Sequence, residues 1–166
     1  VSYLLRRTKK FVWVGDKRDR EAAIGEFERR DRDTDGFSVF EVTTDHERML
    51  VVAAHACDRR DTSRLDLIEI ERDVIEQYGP VSLTPESGTT SVRTANELHR
   101  SLDWPSTDLR RLAEDLFDQQ CVPAEYARGA VKDAVCALAL EDVIGDAAVA
   151  FVRAEQAKRP PPQRGG

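Results

Sequence analysis

Three stretches in the second half of the chain carry apolar residues at helical spacing, and they restrict its folding more than any other feature. Leu109, Leu112, Ala113, Leu116 and Phe117 share one helix face, and Ala130, Val131, Ala134, Val135 and Leu138 share another. Ala147, Ala148, Phe151 and Val152 extend the pattern beyond Gly145, which breaks or bends the run, and Pro123 suits a first helical turn. Each such face must be buried against a partner element, so a helical subdomain is expected over 91–158.

The first half reads differently. Phe11, Val12, Trp13 and Val14 end at Gly15 and predict a strand, and residues 16–30 predict a surface helix whose apolar stripe is only Ala23, Ile24 and Phe27. Alternation from Phe37 to Val42 predicts a second strand. Thr44 and Glu47 form a capping-box pattern ahead of Met49, Leu50, Val52 and Ala53, which predicts a helix, although the unbroken apolar run at 49–54 also fits a buried strand. Ser63 and Asp66 open a further helix through Val74, Ile75 and Tyr78 that stops at Gly79 and Pro80, while 65–70 also alternates like a strand.

Residues 81–90, with Pro85 and Gly88 among Ser and Thr, predict a loop between subdomains, and the Pro-rich end at 159–166 predicts a disordered tail. The expected class is α+β, helix-dominant: a small N-terminal sheet with helices over 1–80, followed by the C-terminal helical subdomain.

The segment opening at Thr94 and closing at Leu116 is the most suggestive for function. Thr94 and Glu97 have capping-box spacing, Ala95, Leu98 and Leu102 give a short helix an inner face, Asp103 suits a left-handed turn, and Pro105 and Ser106 start a second helix. This segment resembles the helix-turn-helix of bacterial regulators. The resemblance implies a second helix in the major groove, with Ser106, Thr107, Arg110 and Arg111 toward the bases and Arg93 and Arg100 on phosphates. Asp108, Glu114 and Asp115 place negative charge on the same helix.

A second motif is acidic. Asp31, Asp33, Asp35 and Gly36 follow the first half of an EF-hand loop, where carboxylates and a turning glycine surround Ca²⁺. The twelfth position, which should hold a bidentate Glu, is Val42, so a shortened loop has to recruit Glu41. The plain alternative is a solvated acidic turn.

Other residue types narrow the classes. The net charge of −6 argues against nucleic-acid binding by the whole surface and leaves local patches, the clearest being Arg6, Arg7, Lys9 and Lys10 beside Phe11 and Trp13. That cluster suits phosphate binding, or simply a basic strand end with buried aromatics. Cys57, Cys121 and Cys136 have no zinc-ligand or disulfide-framework spacing. His46, His55 and Cys57 diverge if they lie on a helix. No Walker loop, nucleophile elbow or zinc-protease motif occurs, and no apolar run approaches the ~18 residues of a membrane span.

The expectation is therefore a cytoplasmic, non-enzymatic regulatory or adaptor protein without cofactor, with a protein partner and possible DNA contact. Its alternative is a small metal-dependent enzyme or calcium-binding protein using Asp31, Asp33, Asp35 and Glu41.

Overall fold

The computed structural model describes residues 1–28, 37–78, 83–85 and 88–159. Strands β1 (Tyr3–Thr8), β2 (Phe37–Val42), β3 (Leu65–Glu71), β4 (Leu83–Pro85), β5 (His99–Leu102) and β6 (Ala124–Tyr126) form one sheet in the order β4-β5-β2-β1-β3-β6. Every neighbouring pair is antiparallel. Helices cover both faces of this sheet, so the fold is a mixed α+β sandwich of three layers.

Residue alternation in the strands explains the layers. Leu5, Phe40, Val42, Leu65 and Leu67 point to one face, where they meet α3 (Asp45–Arg59), α5 (Arg93–Glu97), α7 (Arg128–Cys136) and α8 (Asp146–Ala157). Leu4, Phe37, Val39, Ile68, Ile70 and Leu102 point to the other, covered by α1 (Lys10–Trp13), α2 (Arg20–Gly25), α4 (Arg72–Glu76) and α6 (Ser106–Asp118). A strand buried on both sides reads as a continuous apolar run rather than an alternation. Leu67, Ile68 and Ile70 in β3 show why its sequence was ambiguous.

The expected division into an N-terminal sheet and a C-terminal helical subdomain is overturned by β4, β5 and β6, which come from the second half of the chain and join the same sheet. The predicted loop at 81–90 contains β4. Phe11 and Val12 lie in the helical turn α1, and the first strand is the preceding Tyr3–Thr8. The helix expected at 16–30 is the short α2, whose N-cap Asp19 accepts a hydrogen bond from the Ala22 amide. The helix expected from Ser63 is mostly β3, with only α4 helical after it. Pro123 precedes β6, and α7 starts five residues later at Arg128. Gly79 and Pro80, and the tail beyond Arg159, lie outside the described residues.

Local chemistry is followed elsewhere. Thr44 accepts from the Glu47 amide at 3.1 Å while the Glu47 carboxylate accepts from the Thr44 amide, and this capping box starts the fifteen-residue α3. Gly145 adopts φ 89° at the start of α8, a conformation that favours glycine.

Because β5 and β6 complete a sheet whose centre is β1, the first half has no independent core. A fragment ending at residue 90 should show no cooperative urea transition, whereas the full chain should unfold in one. A fragment with its own sharp transition contradicts the single sheet.

Candidate functional site

At its centre the sheet forks. β1 and β2 pair through Tyr3↔Val42, Leu4↔Glu41 and Leu5↔Phe40. Beyond these, β1 stays with β3 as far as Thr8↔Asp66, and β2 stays with β5 as far as Phe37↔Leu102. Arg6 fills the opening between them. Its Nη1 donates to the Ser38 carbonyl at 2.8 Å and its Nε to the Glu26 carbonyl at 3.1 Å, while its guanidinium lies 3.7 Å from the centroid of the Phe37 ring. A side-chain donor thus takes the place of the strand ladder at this point.

The fork opens a cleft of about 450 Å³, whose walls include Arg7, Thr8, Lys9, Ser38, Phe40 and His55. A smaller recess of about 160 Å³ shares Arg7, Thr8 and Lys9 and reaches Arg59 and Arg64. The cations here fall into two groups. Lys10 pairs with Glu125 at 3.2 Å, and Arg64 with Asp66 at 3.3 Å. Arg7, Lys9 and Arg59 have no carboxylate within 4.0 Å among the described residues. Arg59 Nε donates to the His55 carbonyl at 3.3 Å, but its Nη2 is shielded from solvent and has no acceptor among the described residues. A shielded guanidinium donor without an acceptor costs about 1–3 kcal/mol, more for a charged group.

His55 sits one helical turn before Arg59 on α3. Burial, reinforced by the nearby Arg7 charge, pushes its imidazole down to about 4, with Asp58 acting in the opposite sense and Arg59 in the same one. It is therefore neutral at pH 7. Its ring meets the Phe40 ring edge-on with centroids 5.6 Å apart, and its Nε2 has no hydrogen-bond partner among the described residues. Arg59 is likewise lowered, first by burial and then by Arg7.

On the opposite lip, Glu26 is occupied by donors of the fold. Its carboxylate accepts from Trp13 Nε1 at 2.9 Å, from the Lys9 amide at 3.1 Å and from the Thr8 hydroxyl. Glu26 also lines the cleft, so its charge faces the same space as Arg7 and Lys9. Cys57 is buried in the core under α3, and burial raises its thiol to about 12, so it is protonated and inert.

The segment read as a helix-turn-helix has another structure. A strand, β5, separates α5 from α6, and the two helices lie on opposite faces of the sheet: Ala95 packs in the α3 core and Leu109 in the other. Leu102 belongs to β5 rather than to a first helix. Thr94 caps nothing through Glu97; its amide donates to Asp142 Oδ1 at 3.1 Å and its hydroxyl to the same carboxylate.

The proposed DNA-contacting residues are accordingly dispersed. Arg93 is exposed on α5, and Ser106 and Thr107 are exposed at the start of α6. Arg110 is held by Glu21 and Glu28 at 3.2 Å each and by Glu114 at 3.1 Å, and Glu21, then Glu114, raise its already high pKa. Arg111 lies 5.5 Å from the Tyr78 ring centroid. Arg100 donates to Glu41 at 3.2 Å and to the carbonyls of Glu97 and His99.

Of the calcium set, Asp31, Asp33 and Asp35 lie outside the described residues. Glu41 accepts from Arg72 at 2.9 Å, Arg100 at 3.2 Å and Ser2 at 3.1 Å. Two guanidiniums already compensate the carboxylate that the loop needs as its closing ligand. Among the described residues, no group of three or more His, Cys, Asp or Glu side chains is placed to hold a metal ion. No helix among them is long and apolar enough to cross a membrane.

Comparison of the chain with protein families, with curated proteins and with solved structures found no match. The cleft was visible in the sequence only as the basic cluster Arg6 to Lys10. Arg59 and His55 lie some fifty residues further on, and only the packing of α3 against β1 joins them to it.

The lowered His55 predicts a specific pH dependence. The unfolded chain takes up a proton near pH 6.5, which the folded chain refuses until about pH 4. The stability due to neutral His55 is thus fully present above about pH 6.5 and is lost as pH falls toward about 4. Urea unfolding at about pH 7 and about pH 5 should show a larger loss for the parent chain than for His55→Leu. Equal losses contradict the buried, neutral assignment.

Proposed function

We propose that this chain is a non-catalytic binding module, of regulatory or adaptor type, that takes a phosphate-bearing small molecule in the cleft beside the β1–β2 fork. The observation that carries this reading is the pair Arg7 and Lys9, which line the cleft without an ion-pair partner among the described residues, with Arg59 in the adjoining recess that shares both of them. Guanidinium groups favour planar, multidentate contact with phosphate oxygens, and an ammonium adds a point charge. An anion carrying at least two charges matches them better than a single carboxylate does. The cleft volume of about 450 Å³ lies in the range of small-ligand sites.

Two features favour binding over catalysis. His55 is a weak base at neutral pH, and among the described residues no hydrogen bond links it to Ser38 or to an orienting carboxylate, so no activated nucleophile is assembled. Contact with DNA through α6 is not carried forward, because Arg110 is compensated by three glutamates and α5 stands on the far side of the sheet.

Calorimetric titration with pyrophosphate tests the reading. Binding should weaken as salt is raised, and Arg7→Ala and Arg59→Ala should each lower affinity by about tenfold or more, as expected for a hydrogen bond to a charged group. Arg111→Ala should bind like the parent. Absence of binding at low salt, or unchanged affinity in both cleft variants, overturns the proposal.

A further inference from the structure

A second cleft, of about 400 Å³, lies at the other end of α3, between the first turns of that helix and the C-terminus of α7. Nine residues separate His46 on its rim from His55 at the first cleft, which at 1.5 Å per residue puts the two about 13 Å apart along the helix. The floor is apolar. Met49 and Leu50 from α3 meet Ala134 and Leu138 of the α7 region, and the small side chains of Ala137 and Ala139 leave the space open.

The mouth is electronegative for two independent reasons. Glu141 and Asp142 stand on the 3₁₀ turn Leu140–Asp142 that borders it, and Glu141 is exposed with no ion-pair partner among the described residues. Asp142 accepts from Thr94, which fixes the turn against α5. In addition, α7 ends at the cleft with no basic residue in its last turn, so the negative end of its dipole is not offset by a cation there. Among the described residues, the side-chain donor to the carbonyls of Cys136 and Leu138 is the neutral amide of Gln156, at 3.2 and 2.9 Å. The positive end of α3, which faces the same space, is already balanced by Asp45 and Glu47 in its first turn.

From this pairing of an apolar floor with a negative mouth, we infer that the cleft binds a small organic cation, an amine carried on an aliphatic or aromatic body. The apolar body displaces water from Met49, Leu50 and Leu138, and the ammonium stays at the mouth beside Glu141 and the α7 terminus. The site is independent of the phosphate-binding cleft and stands if that reading fails.

A series with one apolar body and three heads tests it: octylamine, octanol and octanoate, each titrated into the full chain by calorimetry. Trp13 and Trp104 lie in the core on the opposite face of the sheet, so heat is a more direct readout than intrinsic fluorescence. Octylamine should bind at one site and about tenfold or more tighter than octanoate, with octanol between them. Glu141→Gln should lower octylamine affinity by about threefold and leave octanol unchanged. Ala137→Leu, or Ala139→Leu if the first variant melts below the parent, should abolish binding of all three by filling the floor. Octanoate binding as tightly as octylamine, octylamine binding unaltered in both filled variants, or no octylamine binding to the parent overturns the inference.

Discussion

The guanidinium of Arg6 is the interaction on which the middle of this molecule depends. By bonding the carbonyls of Ser38 and Glu26 and lying over Phe37, it closes the point where β1 leaves β2. Its Nη1 takes up the Ser38 carbonyl just past the last β1–β2 pair, Leu5↔Phe40. The fork explains how one sheet serves two ends. β1 carries its ladder on to β3 and β6, β2 carries its own to β5 and β4, and the space between them remains as a cleft.

That geometry also sorts the charges. The second half of β1 reads Arg6-Arg7-Thr8, and alternation sends Arg6 and Thr8 to the α6 side and Arg7 to the α3 side. On the α6 side, Thr8 joins Glu26 and Trp13 in a closed network. On the α3 side, Arg7 meets the last turns of α3, where Arg59 adds a second guanidinium and His55 is held neutral. Like charges held near one another raise the energy of the empty cleft, and an anion relieves it. In a chain of net charge −6, such a local reversal of sign is the feature that most distinguishes one surface from another.

Much of the local structure was legible where one signal was strong. The Thr44–Glu47 capping box and the apolar faces of α6 and α7 gave their helices, and Phe37–Val42 gave its strand. Failures occurred where tertiary burial overrode periodicity. Leu67, Ile68 and Ile70 look helical or extended depending on which faces are covered, and a sheet covered on both faces could not be foreseen from them. Leu98 and Leu102 keep helical spacing, yet Leu98 caps α5 against one core and Leu102 ends β5 in the other. Of the candidate cleft, the basic cluster on β1 was legible. Arg59 and His55 were not, since their relevance comes from the docking of α3.

The proposed anion site is the fork rather than the exposed start of α6. Backbone amide shifts followed through a pyrophosphate titration locate the site directly. The largest changes are predicted at Arg7, Lys9, His55 and Arg59, with Ser106, Thr107, Arg110 and Arg111 unmoved. Changes concentrated on α6, or none at all, contradict it.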